Sequence, residues 1–176
     1  QCQIDLCGGD YTQTQLVGQV FDPAGKNPVY NVLVYIPNAA LGPLTEGVSC
    51  DSCATPSGSP IVSALTDYTG TFRLKGVPNG TNIPLVIQSG KWRREVTIPT
   101  VTKCVSNSAL SLTGADGLKL IRFPKNRSEG NIPRIAFVSG SADPFQCLLM
   151  KMGMDVSAAT SEIGVPYISG TFNDDR

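Results

Sequence analysis

Histidine is absent from this chain of 176 residues. Its absence excludes serine–histidine and cysteine–histidine nucleophile pairs, histidine general bases and every metal site that needs an imidazole ligand. No other recognisable nucleophile setting takes their place. We therefore predict that the protein is not an enzyme and that it carries no cofactor.

Charged residues and long apolar runs are also scarce. Charged residues make up 16% of the chain and the formal net charge is zero, which gives no electrostatic reason to expect nucleic acid or an anionic membrane as a partner. No apolar run approaches the roughly 18–20 residues that cross a bilayer. The sequence thus predicts no nucleic-acid partner and no membrane span.

Glycine and proline are frequent, with 18 and 13 copies, as is typical of short strands joined by turns. The strand patterns predict a mainly β protein, an antiparallel β-sandwich of about seven strands. These patterns cover residues 14–21, 31–36, 61–66, 71–74, 83–88 and 92–98. The predicted core consists of Val17, Val20, Val32, Val34, Leu65, Phe72, Leu74, Val77, Leu85, Ile87, Val96 and Ile98.

One nonapeptide, residues 66–74, carries the clearest local signal. It reads Thr-Asp-Tyr-Thr-Gly-Thr-Phe-Arg-Leu. Asp67 can accept hydrogen bonds from its own backbone two residues on, and Gly70 supplies a positive φ. Phe72 and Leu74 then share one face of the following strand. We predict a tight turn between two strands here.

The chain divides into three predicted parts. Residues 1–12 form a cysteine-bearing lead-in, residues 13–103 form the sandwich with a loop insertion at 37–60, and residues 104–176 form an extension. The extension is predicted to contain a strand, one short helix (143–153) and a second strand. The helix has Asp143 as its cap and Pro144 at its first position, and Gly153 ends it.

Six cysteines are candidates for disulfide bonds, and an even number in such a chain indicates an oxidising compartment. The chain begins with Gln1, from which we expect a leader or upstream segment to have been removed. Both observations predict a secreted or cell-surface protein. The cysteines are Cys2, Cys7, Cys50, Cys53, Cys104 and Cys147.

The sequence alone leaves the pairing of these cysteines open. A local bridge between Cys50 and Cys53, with Cys104 and Cys147 holding the tail and the first two cysteines holding the lead-in, is the arrangement we predict. The Cys50-Asp51-Ser52-Cys53 spacing also occurs in redox dithiols and in half of a zinc site. Its Ser/Pro/Gly-rich surroundings favour structural disulfides over either.

Lys91-Trp92-Arg93-Arg94 combines the only tryptophan with three cations. One interpretation is a stacking platform for a sugar or a base, with Trp92 and Arg94 as possible ligand contacts. Strand alternation places these two residues on the face of Val96 and Ile98, which favours core packing. Asp22, Asp67 and Asp116 occupy turn positions and need no catalytic explanation.

Several of these segments together resemble the carboxypeptidase regulatory-like domain. They are Val17-Gly18-Gln19-Val20-Phe21-Asp22, Gly25, Pro28, Val32-Leu33-Val34, the 66–74 nonapeptide and Val77-Pro78-Asn79-Gly80. The resemblance implies a transthyretin-like (prealbumin-like) sandwich over roughly residues 13–99. Bacterial extracellular proteins with such a domain after a cysteine-bearing lead-in are also similar. The resemblance implies a non-catalytic module and transfers no activity.

The expected function is therefore structural or adhesive. We predict a secreted sandwich that assembles with itself through edge strands or termini, or that binds a cell-surface or matrix component. The alternative is a carbohydrate- or peptide-binding accessory module of a longer extracellular protein, which an exposed Trp92 would favour. A secreted enzyme with its active site in the tail or beyond Arg176 is the third interpretation.

Overall fold

Two β-sheets face each other and enclose the main core. The computed structural model describes residues 4–45, 56–133, 135, 137–138, 145–154 and 167–168. The sandwich strands are β1 (Gln15–Gln19), β2 (Leu33–Pro37), β3 (Pro60–Leu65), β4 (Thr71–Lys75), β5 (Gly80–Ser89), β6 (Trp92–Val101) and β7 (Ser106–Ser108). One sheet has the order β4-β1-β7 and the other β3-β2-β5-β6. The predicted seven-stranded β-sandwich is thus confirmed.

One strand pair departs from the antiparallel prediction. β7 runs parallel to β1, whereas the other pairs of the sandwich are antiparallel. The sequence of β7 is Ser-Asn-Ser, which lacks the apolar alternation that marks a strand. Its Asn107 side-chain amide donates to the carbonyl oxygens of Gln15 and Thr102, so polar contacts hold this strand.

The core lies between the sheets and includes most of the predicted residues, among them Val20, Val34, Phe72 and Ile98. Val17 was predicted there but is only partly buried, because β1 turns the neighbouring Leu16 toward the core instead. Leu65 was predicted there and is instead 59% exposed. It pairs with Leu33, and strand alternation then turns both side chains away from the core residue Val34.

The turn at residues 66–71 forms as predicted. The Asp67 carboxylate accepts hydrogen bonds from the amides of Thr69 and Thr71 at 2.8 and 3.0 Å. Gly70 has a φ of +74°, and its carbonyl oxygen accepts from the Val20 amide at 2.9 Å. The turn is therefore attached to the end of β1.

The segment after β7 also belongs to the sandwich, although the predicted boundary lies at residue 103. Ala109, Ile121 and Phe123 join the main core. Phe21 exchanges backbone hydrogen bonds with this segment, donating to Ile121 and accepting from Phe123. The chain from 109 to 123 therefore continues alongside β1.

The C-terminal part contains β8 (Phe137–Val138), α1 (Phe145–Lys151) and β9 (Tyr167–Ile168), with β8 and β9 parallel. Of the predicted helix over 143–153, residues 143 and 144 lie outside the described part. After α1, Gly153 has a φ of +80°. The amides of Gly153 and Met154 donate to the carbonyls of Met150 and Leu149, which is a Schellman termination. No helix within the described ranges is long and apolar enough to cross a membrane.

Candidate functional site

The loop insertion folds back over the outer face of its own sheet. Tyr35 and Val86 are opposite one another on β2 and β5, and both are fully buried without belonging to the core between the sheets. Residues 38–45 and 56–59 are the described parts of the insertion, and we call them the cover. The amide of Asn38 donates to the Gly58 carbonyl at 2.8 Å, which joins the two parts.

Arg93 of β6 attaches the cover to the sheet. Its guanidinium donates from Nη1 to Ser57 Oγ at 2.7 Å and from Nη2 to the Gly42 carbonyl at 2.8 Å. Its Nε donates to Asn131 Oδ1 at 3.3 Å. Backbone hydrogen bonds also join Arg93 and Asn131 in both directions. The side chain therefore connects the cover to the segment that borders β6.

A cleft of about 360 Å³ lies between the cover and this bordering segment. Leu41 comes from the cover, and the floor and rim are polar. Arg93 is only 5% exposed, whereas Glu95 and Arg127 at the rim are exposed. The remaining lining residues are Ser128, Glu129, Gly130 and Asn131. We name this space the Arg93 cleft and take it as the candidate binding site.

Two buried polar atoms on the sheet beneath the cover lack hydrogen-bond partners within the described structure. They are the phenol oxygen of Tyr35 and Oε1 of Gln88. Burial raises the pKa of Tyr35, while the nearby Ser57 hydroxyl and Arg93 guanidinium act against that rise without reaching hydrogen-bond geometry to the phenol. Gln88 is the cross-strand partner of Arg93, so this polar group adjoins the cleft floor.

A second buried arginine, Arg122, has a different environment. Its guanidinium binds both carboxylate oxygens of Glu129 at 2.8 and 2.9 Å and Asp116 Oδ2 at 2.6 Å. The Arg122 hydrogen bonds hold the pKa of Glu129 at about 2. The pKa of Asp116 is also lowered to about 2. The hydrogen bond from the Leu118 amide contributes most, and the hydrogen bond from Arg122 adds to it. Glu129 thus lines the cleft with its charge already neutralised.

The structure corrects the predicted cysteine pairing. Cys7 is bonded to Cys104, and Cys147 on α1 forms no disulfide with a cysteine of the described residues. Thr14 lies beside this bridge, and its hydroxyl accepts from the Cys104 amide at 2.9 Å. Because β1 and β7 pair in parallel, the lead-in before β1 lies next to the turn before β7. Cys2, Cys50 and Cys53, and with them the predicted Cys50–Cys53 bridge, lie outside the described residues.

Trp92 lies between two hydrophobic clusters. Its ring is 5.3 Å from the Phe123 ring, centroid to centroid. It also packs on the small cluster of Ile132, Leu149 and Met154, and its Nε1 is buried without a partner in the described structure. An indole in this position packs the α1 region onto the sandwich rather than forming an open stacking platform.

Arg94 is half-buried and donates from Nη1 to the Arg122 carbonyl at 3.1 Å. Burial is the main cause that lowers the pKa of Arg94, and the nearby positive charge of Arg122 lowers it further. The structure therefore brings neither Trp92 nor Arg94 to the Arg93 cleft. Their role as ligand contacts stays an untested prediction.

Strand alternation puts Arg93 on the face opposite to Trp92 and Arg94, and it gives no sign that this side chain is buried. The long polar insertion at 37–60 could have suggested that part of a sheet is covered. The sequence pattern does not show which face the insertion covers, so it does not indicate that Arg93 lies beneath it. Within the described residues, no group of three or more His, Cys, Asp or Glu side chains is arranged to hold a metal ion.

Large apolar side chains are exposed at the C-terminal end of β3, the edge strand opposite β6, and in the two neighbouring connections. Tyr30, Leu65 and Tyr68 are 65%, 59% and 86% exposed. The Asn31 amide donates to the Thr66 carbonyl at 3.1 Å, which brings the β1–β2 and β3–β4 connections together. We call these three side chains the end patch.

Comparisons with known proteins place no family name on the chain. No family model matches it, and no curated protein matches it in sequence. Among solved structures, one chain of a type II cohesin–X-dockerin complex from Acetivibrio cellulolyticus is 18% identical to this chain. The match covers 81% of this chain and 85% of the other, with a TM-score of 0.37.

Two catechol 1,2-dioxygenases are also similar. The Acinetobacter sp. ADP1 enzyme is 12% identical, with 71% and 57% of the two chains covered and a TM-score of 0.32. For the Pseudomonas arvilla C-1 enzyme the identity is 16%, the coverages are 66% and 52%, and the TM-score is 0.31. This chain thus spans little more than half of each dioxygenase. These likenesses carry no argument about function.

Proposed function

We propose that this protein is a non-catalytic, extracellular β-sandwich that works as a structural or adhesive building block and pairs with further copies through β3. The observation that carries the proposal is an uncharged edge strand beside the end patch. Within the described structure, β3 hydrogen-bonds to β2 alone. A strand with one free edge can add a strand from another chain.

The other edges of the two sheets carry features that discourage pairing. β4 ends in Arg73 and Lys75, β6 contains Glu95 and Pro99, and β7 has three residues. Charges, proline and short length are the usual protections of an edge. β3 reads Pro-Ile-Val-Ser-Ala-Leu, so its only such feature is the proline at its start.

The end patch favours a second copy of the chain as the occupant of this edge. Covering the exposed tyrosines and leucine with another apolar surface lowers the free energy of the system. The formal net charge of zero adds no long-range repulsion between copies. Burial of the end patch and the absence of charge repulsion therefore both favour association of two copies, as strand pairing does.

The carboxypeptidase regulatory-like resemblance forms part of the same proposal. Its segments lie on β1, β2, β4 and the 66–71 turn, which pack together in the sandwich. The Cys7–Cys104 bond supports an extracellular location, because disulfides persist in oxidising compartments.

Sedimentation velocity and electron microscopy of the unreduced protein test this function. We expect assemblies for the native chain and a shift to monomer for Ser63→Lys, which places a charge on the exposed side of β3. Thr97→Lys is the matched control, because Thr97 is an exposed strand residue at the opposite edge of the sheet. A native chain that stays monomeric, or equal assembly by the Ser63 variant, contradicts the proposal.

A second candidate is an accessory module that binds a small polar ligand. The Arg93 cleft is the specific observation in its favour, since a concave polar space with a buried cation is a common form of binding site. Titration of the protein with candidate ligands, followed by NMR, tests this function separately from assembly.

A further inference from the structure

Arg93 and Arg122 are both almost fully buried, at 5% and 2% exposure, but among the described residues only Arg122 has acidic ion-pair partners. None of the ion pairs between described residues reaches Arg93. Its three acceptors are a serine hydroxyl, a backbone carbonyl and an asparagine amide oxygen. These groups are neutral, and burying a cation without an opposite charge costs free energy.

The guanidinium also retains donor capacity. It has five N–H groups, and three of them are used, one on each nitrogen. One N–H on Nη1 and one on Nη2 remain. On Arg122 the same two nitrogens hold the Glu129 carboxylate in a bidentate arrangement, so terminal guanidinium nitrogens that retain hydrogens are donors that suit a carboxylate.

The rim of the cleft narrows the chemistry of the ligand. Arg127 is exposed and forms no ion pair among the described residues, so it adds a second positive charge. Glu95 places a negative charge close by, which disfavours a dianion such as a phosphate monoester. The polar residues Ser128, Glu129 and Asn131, together with Gly130, line the rest, and the Glu129 carboxylate is already paired with Arg122. A polar lining of this kind suits hydroxyl groups better than an apolar side chain.

We propose that the Arg93 cleft binds the carboxylate of a hydroxylated monoanion, the chemistry of a uronic acid residue in an acidic polysaccharide. Arg93 receives the carboxylate at the floor, Arg127 adds attraction at the rim, and Glu95 accepts hydrogen bonds from sugar hydroxyls. A volume of about 360 Å³ is at the lower end of the range for ligand sites. The cleft is formed by residues distinct from those of the β3 edge and the end patch, so the proposal holds whether or not copies pair.

Titration of the intact, unreduced protein with D-glucuronate, followed by NMR, tests the proposal. We expect shifts centred on the cleft residues at millimolar concentrations, and none with the methyl ester, which lacks the charge. Arg127→Ala is expected to weaken binding about two- to fivefold. Arg73→Ala is the control, because it removes an exposed arginine of β4, a strand of the other sheet that does not line the cleft.

Arg93→Gln is expected to abolish binding. Because the loss of Arg93 can also displace the cover, Glu95→Gln is the second variant that tests the proposal. The Glu95 variant leaves the attachment of the cover unchanged, and we expect it to gain binding of glucose 6-phosphate that the native chain lacks. Absence of shifts with glucuronate, equal binding of the ester, or shifts centred elsewhere overturns the proposal. Binding of a peptide by its free C-terminal carboxylate, without binding of glucuronate, overturns it in favour of a peptide site.

Discussion

Two arginines illustrate how the same side chain serves two roles in this protein. Arg122 holds Asp116 and Glu129, and thereby joins distant parts of the segment after β7 to each other. The described acceptors through which Arg93 holds the cover, the Ser57 hydroxyl and the Gly42 carbonyl, are neutral. Two carboxylates offset the charge of Arg122, whereas Arg93 has no ion-pair partner among the described residues. This difference, rather than burial, separates a structural arginine from a candidate binding residue.

The Arg122 cluster predicts sensitivity to acid. Asp116 and Glu129 have a pKa of about 2 in the folded protein, below their ordinary values near 4. Groups with a lowered pKa stabilise the fold fully above the unfolded pKa, and this stabilisation is lost as the pH falls through the folded pKa. We expect the free energy of unfolding to fall between about pH 5 and pH 2.

Glu129→Gln isolates the carboxylate in that response. Its loss leaves Arg122 buried with one acidic partner, so we expect a cost of about 2 kcal/mol at pH 7 and a shallower decline in acid. Urea unfolding at several pH values measures both. Glu95→Gln removes an exposed carboxylate and is the control. An unchanged pH profile in the Glu129 variant would show that other groups cause the acid response.

Gly70 predicts a local cost that combines backbone and packing. A Cβ atom there would lie 2.7 Å from Pro28 Cβ and 2.9 Å from the Val29 amide nitrogen, at a φ of +74°. We expect Gly70→Ala to cost about 3 kcal/mol in the free energy of unfolding. Gly90 has a φ of +54° and open space around it, so Gly90→Ala is expected to cost about 1 kcal/mol. Equal costs in thermal or urea unfolding contradict this explanation.

Among the seven strands of the sandwich, the shortest has the largest consequence for the fold. β7 contains three residues, but its parallel pairing with β1 brings the chain before β1 next to the chain after β6. This contact makes the Cys7–Cys104 bond possible across a sequence separation of 97 residues. The extension that follows then supplies Ile121 and Phe123 to the core.

The Cys7–Cys104 bond is expected to contribute much of the stability. Crosslinking so long a loop restricts the unfolded chain, and we expect Cys7→Ala with Cys104→Ala to cost about 3–4 kcal/mol. Cys147→Ala is the control, since that cysteine forms no disulfide with a cysteine of the described residues. Urea unfolding of the variants, without reductant, measures the effect and leaves the other cysteines untouched. A double variant as stable as the native chain would show that the strand pairing alone holds the lead-in.

Trp92 connects two parts of the structure. It contacts Phe123 and the cluster of Leu149 and Met154, and thereby joins the α1 region to the sandwich. The Ala24 amide donates to the Met152 carbonyl at 2.9 Å, which adds a polar contact to the same junction.

Trp92→Ala is expected to cost about 3 kcal/mol and to loosen the α1 region before the sandwich. Hydrogen exchange at α1 compared with β5 tests this order. Loss of protection in both regions to the same extent would show that the two parts unfold together.

At the scale of the whole molecule, the two ends of one sheet have different surfaces. One end has the polar Arg93 cleft, and the other has the uncharged β3 edge and the exposed end patch. Binding and assembly can therefore occur on the same sandwich without competing for the same residues.

Assembly through β3 is predicted to depend little on salt. The net charge is zero and β3 carries no charge, so screening has little to remove. We expect the sedimentation profile to stay nearly constant from 0.1 M to 1 M salt, where the screening length falls from about 10 to about 3 Å. Dissociation of assemblies over this range would indicate an ionic interface elsewhere.

Much of the fold could be predicted because its signals are local. Asp67 and Gly70 mark their turn through hydrogen bonds and a φ within five residues, and Gly153 marks the end of α1 in the same way. Apolar alternation located six strands within a few residues of their ends. The assignment of Leu65 to the core was wrong because register, and not alternation alone, decides which face a strand presents.

The candidate site was not predictable by the same means. Arg93, Asn131 and Ser57 are separated by up to 74 positions in the chain, and each residue is unremarkable in its local sequence. Composition and short-range pattern were enough for the fold class, the turn and the expectation of a disulfide, because those depend on interactions between near neighbours and on residue chemistry. The cysteine partners, the parallel β7, the covered outer face and the neutral hydrogen-bond acceptors of Arg93 arise from contacts between distant segments, whose geometry is set only when the sheets pack together.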